Sequence, residues 1–231
     1  MKSLQYIDLG LIDYKEAWDL QKKIFDLRVN NNTEDVLLLL EHPHTYTLGK
    51  TAKREHLLET GISLKEKQIS VYDIDRGGDI TYHGPGQIVG YPIINLNNWH
   101  KDAHKYLRSL EEVIIQLLSF YNIEAGRDPK YTGVWIENRK IAAIGVKLSK
   151  WITMHGFAFN INTDLSLFSG IVPCGIYDKE VTSLEKEIGK KPNLGDIKLL
   201  LVDCFKSVFG YDEVQTLNID DLFSVSHQSN S

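Results

Sequence analysis

The apolar residues of this chain come in short runs, and the longest, residues 36–40 (VLLLL), has five members. A run of that length suits a strand buried on both faces and is far too short for a membrane-spanning helix. Residues 5–9, 35–41, 69–74, 88–95 and 151–161 read as strands, the last of them broken at Gly156. Residues 134–136 and 141–146 read as a hairpin turning around Asn138 and Arg139. Asp13 opens a helix, with Glu16 as its capping partner and Tyr14, Ala17, Trp18, Ile24 and Phe25 on the apolar face. Ala103, Tyr106, Leu107, Leu110, Val113, Ile114, Leu117 and Leu118 form the cleanest helical stripe. Residues 194–209 make a closing amphipathic helix stopped by Gly210. Strands outnumber helices, and short turns join several of them. The expected fold class is therefore α/β (α+β): a mixed β-sheet packed by a few helices.

No repeat or linker divides the chain, so residues 1–223 are expected to form a single domain, with residues 224–231 a polar, frayed tail. The two cysteines, Cys174 and Cys204, are too few for a disulfide framework or a thiolate metal cage, which fits a reducing compartment. The first ten residues, MKSLQYIDLG, contain no apolar signal core. A cytoplasmic protein with no membrane partner is the expectation. The net charge is −5 and no basic stripe runs through the sequence, so nucleic acid is not an expected partner. An acidic protein partner must then dock on local bases, with Lys50, Lys53, Arg54, Arg139 and Lys150 as candidates.

Three stretches carry residues suited to chemistry. The first is RGGDITYHGPGQ, residues 76–87, where four glycines let backbone approach a ligand and present N–H groups to an anion or a thioester carbonyl. Its order is neither a Walker loop nor a dinucleotide fingerprint, and a tight turn between strands is the plain alternative. Arg76 and His83 bracket it, and His83 is equally open to a structural hydrogen-bonding role. The second is RKIAAIGVK, residues 139–147. Strict alternation puts Lys140, Ala142 and Ile144 on one face and Ile141, Ala143 and Gly145 on the other. It also puts Lys140 and Lys147, seven residues apart, on opposite faces unless a bulge intervenes. Lys140 then stands at the mouth of a strand of small apolar residues, or else is a hairpin lysine in water. The third is IVPCGI, residues 171–176, which sets Cys174 on a bend between Pro173 and Gly175. Cys204, beside Val202 and Phe205 in the closing helix, reads as core packing.

Taken together, RGGDITYHGPGQIVGYPI, RKIAAIGVKLSKWITMHGFAFNINTDLSLF and IVPCGI resemble the lipoyl(octanoyl) transferases, the octanoyltransferases of protein lipoylation. The segment EHPHTYTLG, residues 41–49, is similar too, and the resemblance runs from about residue 38 to 183. It implies a fold similar to the catalytic domain of biotin and lipoate protein ligases. It implies an acyltransferase that accepts an octanoyl group from acyl carrier protein as a thioester on Cys174. The group then passes to a lysine amine on lipoyl domains of 2-oxoacid dehydrogenase complexes and on the glycine cleavage H protein, the first step of endogenous protein lipoylation. The resemblance maps the catalytic pair onto Cys174 and Lys140. It maps substrate binding onto Arg76, Gly77, Gly78, Asp79, Ile80, Thr81, Tyr82 and His83, onto Ala143, Ile144 and Gly145, and onto Gly156, Phe157 and Ala158. No cofactor or metal is called for, because a thioester arrives already activated.

This chemistry suits the residues. A thiol attacks a thioester as the thiolate, which a neighbouring ammonium stabilises. Small residues along a strand leave a narrow slot for an alkyl chain. An ATP-dependent lipoate or biotin ligase is the nearest alternative, but Gly84-Pro85-Gly86-Gln87 follows His83 where lipoate ligases carry a triple-glycine loop and an acidic residue. A cysteine hydrolase pairing Cys174 with His83 or His155, and an acyl-sensing binding module, account for fewer of the motifs.

Overall fold

A computed structural model describes residues 1–172 and 180–226, so Cys174 lies outside the described residues. The chain opens with β1 (Ser3–Leu11), α1 (Tyr14–Val29), β2 (Asp35–Glu41), β3 (Thr45–Leu48), α2 (Gly61–Glu66), β4 (Ser70–Asp73), β5 (Ile80–His83) and β6 (Gln87–Ile93). Helix α3 (Ala103–Ser119) precedes β7 (Val134–Ile136), β8 (Arg139–Ser149) and β9 (Ile152–Asn160). A 3₁₀ turn (Leu165–Gly170), β10 (Glu180–Val181), α4 (Leu184–Ile188), α5 (Leu194–Phe209), β11 (Glu213–Thr216) and α6 (Ile219–Ser226) follow. The last helix extends into the segment expected as a tail.

The main sheet runs β10-β8-β9-β6-β2-β1-β11, with β7 also paired to β8, and it mixes parallel and antiparallel neighbours. The leucine run shows why it needs cover on both sides. Leu37 and Leu39 pack on one face among α3 and α5 residues such as Leu110, Leu117, Leu201 and Phe205. Val36, Leu38 and Leu40 pack on the other with Ala17 and Ile24 of α1 and Leu222 of α6. All five are completely buried, and each side chain contributes roughly 1.5–3 kcal/mol by leaving water. The helix ends follow their local chemistry. Asp13 caps α1 by accepting from the N–H groups of Lys15 and Glu16, and Gly210 stops α5 in the left-handed region at φ +68°.

Two features depart from the expectations. Strand β9 is unbroken through Gly156; its irregularity is one residue earlier, where His155 has φ +57°. Gly156 is needed because the β6 backbone comes close: a Cβ there would stand 2.2 Å from the Gly90 carbonyl oxygen. The second departure is a small separate sheet, β4-β3-β5, in which β3 from the EHPHTYTLG segment pairs with β5 from the RGGDITYH segment and with β4. It stands over part of the main sheet on the α1 side and leaves a cavity between.

Candidate active site

The floor of this cavity is the main sheet. Gln87 stands opposite Asn160, Val89 opposite Ala158 and Ala158 opposite Ala143, and Gly145 opposite Gly156. Its cover comes from Arg76, Gly78, Asp79, Ile80, Thr81 and His83, with Tyr14 from α1. Phe168, Val181, Thr132 and Lys140 line it toward the edge strands. The trench is therefore paved with small residues along its middle and bordered by polar groups at both ends.

Lys140 reaches the cavity because strand alternation fails at one point. Strand β8 carries one extra residue against β7: Val134 pairs with Ala142, but Trp135 pairs with Lys140. Ile141 is the bulged residue, and Ile141 and Ala142 both enter the core beneath α3 and α5. Lys140 is thereby moved to the face that carries Ala143, Gly145 and Lys147. The expectation that Lys140 and Lys147 occupy opposite faces is corrected, and so is the grouping of Lys140 with Ala142. Lys140 is 8% exposed, and its Nζ lies 4.8 Å from the centroid of the Trp135 ring. Arg139 is occupied with Glu187 at 3.2 Å and Glu137 at 3.5 Å.

The cover of the trench is locked by hydrogen bonds. The Gly77 N–H donates to the Val146 carbonyl at 2.9 Å, pinning cover to floor. Arg76 Nη2 donates to both the carbonyl and the hydroxyl oxygen of Thr47, each at 2.9 Å. A Cβ on Gly49 would lie 2.3 Å from the Gly78 carbonyl oxygen, so the two glycine segments meet backbone to backbone. Gly78 itself has φ +89°, where L side chains are strained. His83 Nδ1 donates to Gln87 Oε1 at 2.8 Å, since the Gln87 amide nitrogen is directed at the Tyr82 carbonyl and Asn160. Its Nε2 is then an acceptor facing the Thr47 hydroxyl at 3.4 Å. Burial holds His83 well below the usual histidine pKa.

Beside it, His155 Nε2 donates to Asp75 Oδ1 at 2.9 Å, and Lys147 Nζ donates to Asp75 Oδ2 at 2.6 Å. The His155 hydrogen bond, aided by Lys147, keeps the Asp75 carboxyl well below its ordinary range, while burial lowers His155. Lys147 is thus a partner of this carboxylate. His42 donates from Nδ1 to the Ile12 carbonyl at 2.8 Å and accepts at Nε2 from the Tyr91 hydroxyl at 2.8 Å. Burial pushes its pKa down to about 4.

Of the residues singled out in the sequence, Lys140, Arg76, Gly78, Asp79, Ile80, Thr81, His83, Ala143, Ile144, Gly145, Gly156, Phe157 and Ala158 all line this one cavity. Gly77 and Tyr82 do not. Gly77 fixes the cover, and the Tyr82 ring packs edge-on against the cavity-lining Phe168, with its hydroxyl 2.8 Å from His44 Nδ1. The cavity also takes in Tyr14, Gln87, Val89, Tyr91, Thr132, His155, Asn160, Phe168 and Val181. Gln87 and Asn160 are buried polar residues on strands, a signal visible in sequence only once the strands are assigned. Cys204 is packed in the α3–α5 core, and burial pushes its thiol up to about 11. The proposed bases are partly spent on neighbours: Lys53 on Glu55 at 3.5 Å and Arg54 on Asp73 at 2.5 Å. Among the described residues no cluster could hold a metal ion, and no helix is long and apolar enough to cross a membrane.

This architecture has known counterparts. The chain is similar to a bipartite archaeal lipoate protein ligase from Thermoplasma acidophilum, with a TM-score of 0.74 at 14% identity, covering 99% of this chain and 92% of that one. The biotin protein ligase of Aquifex aeolicus is a more distant likeness, with a TM-score of 0.52 at 11% identity, covering 91% and 70%. Sequence similarity is far stronger to an octanoyltransferase of Cytophaga hutchinsonii: 50% identity over 227 residues, covering 90% of this chain and 93% of the relative. Residues 13–206 match the model of the lipoyl protein ligase A/B catalytic domain, and the chain belongs to that family.

Proposed function

We propose that this protein is an octanoyltransferase, an acyltransferase of protein lipoylation that works through Cys174 and Lys140. The observation that carries the reading is the trench itself: small residues Ala143, Gly145 and Ala158 along its floor, and a lysine amine at one end. Half-identity to an octanoyltransferase over nine-tenths of both chains supports the same reaction.

The reaction balances without an added cofactor. The Cys174 thiolate attacks the carbonyl carbon of an octanoyl thioester, the new C–S bond forms, and the carrier's sulfur leaves. Lys140 as an ammonium offsets the thiolate charge and gives its proton to the departing sulfur. The lysine amine of a lipoyl domain then attacks the Cys174 thioester. A C–N bond forms, the C–S bond breaks, and the neutral Lys140 amine takes the proton the attacking nitrogen releases. Acyl carrier protein is the proposed donor, and lipoyl domains of 2-oxoacid dehydrogenase complexes and the glycine cleavage H protein are the proposed acceptors.

The His83 environment weighs against a hydrolase that pairs it with Cys174, because both of its ring nitrogens are engaged. The deciding experiment mixes octanoyl-loaded carrier protein, apo lipoyl domain and this protein without ATP, and reads the intact mass of every chain. Octanoylated lipoyl domain supports the proposal. A requirement for ATP and free octanoate replaces it with the ligase reaction, and release of octanoate without acceptor replaces it with hydrolysis.

A further inference from the structure

Helix α3 turns an apolar face to the main sheet, yet Glu111 sits within that face and has no exposed surface. A carboxylate in such a place is costly unless it is paired and fully hydrogen-bonded. Here it is. Oε2 accepts from Arg108 Nη1 at 2.7 Å and from Arg127 Nε at 3.1 Å. Oε1 accepts from the backbone N–H of Gly133 at 3.0 Å. Arg127 also donates to Glu112 Oε2 at 2.5 Å and to the Arg108 carbonyl at 3.2 Å. One buried carboxylate thus holds residues 127 and 133 of the loop that leads into β7.

That loop is what encloses the Lys140 side chain. A Cβ placed on Gly133 would stand 3.4 Å from Lys140 Cε and 3.5 Å from its Cδ, so the Gly133 backbone lies against the lysine stem. The same Cβ would come within 2.6 Å of the Ala142 carbonyl oxygen, so nothing larger than glycine fits between Glu111 and Lys140. Thr132, one residue earlier, lines the cavity beside the lysine. Trp135, whose ring lies near the ammonium, donates from Nε1 to the Tyr131 carbonyl at 3.2 Å and exchanges backbone hydrogen bonds with Gly126.

We infer that Glu111 is a positioning residue for Lys140: through Gly133 and Arg127 it fixes the loop that aims the lysine amine into the cavity. This inference rests on the reading of Lys140 as the proton carrier of the site. A misplacement of the amine by about an ångström is enough to cost one to two orders of magnitude in rate, without loss of substrate binding.

The test uses the full chain and compares Glu111→Ala, Arg127→Gln and Lys140→Ala. The readings are kcat and KM for octanoyl transfer, and the pH dependence of Cys174 alkylation resolved by peptide mass. Glu111→Ala is expected to lower kcat about tenfold or more with KM within about twofold, and to move the alkylation profile to higher pH. Arg127→Gln, which leaves Glu111 paired to Arg108, is expected to do the same by about threefold. If Glu111→Ala does not fold, Arg127→Gln decides alone, since its side chain is partly exposed. A merely structural role would lower the melting temperature and leave the pH profile of folded molecules in place. Wild-type profiles in both variants, with a shifted profile in Lys140→Ala, would overturn the inference while the role of Lys140 stands. An unshifted profile and unchanged kcat in Lys140→Ala would overturn both.

Discussion

The two ends of the trench are built on opposite plans. At the far end, beside Gly145 and Gly156, Arg76 is held by Thr47, and Asp75 ties His155 to Lys147. At the near end, the Lys140 stem lies against the Gly133 backbone, and the neighbouring strand β10 leads out of the segment that carries Cys174. In the proposed reaction one end fixes shape and the other carries the proton. Charge alone does not distinguish them, since each has a lysine on the same sheet face. Their surroundings differ: Lys147 holds the Asp75 carboxylate at 2.6 Å, and Lys140 has its Nζ 4.8 Å from the centroid of the Trp135 ring.

Removing each lysine in turn separates the two ends most strongly. Lys140→Ala is expected to cost about 10²-fold or more in single-turnover transfer, by deleting the proton carrier and the thiolate's counter-charge together. Lys147→Ala is expected to stay within several-fold of wild type, because Asp75 keeps its His155 donor. Equal losses in rapid-quench measurements would erase the distinction. Next in size is Gly78→Val. The branched side chain must adopt φ +89° beside Arg76 in the cavity cover. Turnover is expected to fall at least tenfold while circular dichroism stays native, since the strain falls on a loop.

The trench floor gives a finer test. Ala158→Leu puts bulk between Val89 and Ala143, and is expected to move selectivity from octanoyl toward hexanoyl or butanoyl thioesters. A pocket discriminates each methylene by about 1–3 kcal/mol, so the ratio of kcat/KM values should change roughly tenfold or more. An unchanged chain-length profile would mean the alkyl group lies elsewhere.

How much of this was legible in the sequence depends on how local each cause is. Helices α1, α3 and α5 were legible because Asp13, the stripe from Tyr106 to Leu118 and Gly210 act within a few residues of where they stand. The second sheet was not, because β3 and β5 are only four residues each and are joined by pairing across 32 residues of chain, from Leu48 to Ile80. The side of the sheet that Lys140 occupies was not legible either. Strict period-two reasoning is defeated by one bulged residue, Ile141, and nothing local marks it. Glu111 did leave a signal, an acidic residue within an apolar stripe beside Leu110 and Ile114. Only the structure shows that Gly133 and Arg127 answer it.

The smallest expected effect concerns acid. His42 is neutral when folded, with a pKa lowered to about 4, and it protonates near 6.5 when unfolded. A folded pKa below the unfolded one means that stability is intact above pH ~6.5 and declines as pH falls toward ~4. His83 and His155 are displaced in the same direction, also by burial. Urea midpoints should therefore drop between pH 7 and pH 5, and His42→Gln should flatten part of that drop. A midpoint that does not fall over this interval would contradict the buried, neutral histidines described here.

In the proposed reaction the octanoyl group passes through Cys174. Peptide mapping after incubation with octanoyl-loaded carrier protein, without ATP, tests it most directly. One octanoyl thioester is expected on the peptide containing Cys174, lost when apo lipoyl domain is added and recovered there as an amide, with Cys204 unmodified. An adduct on Cys204, or transfer that proceeds at the wild-type rate in Cys174→Ser, would contradict it.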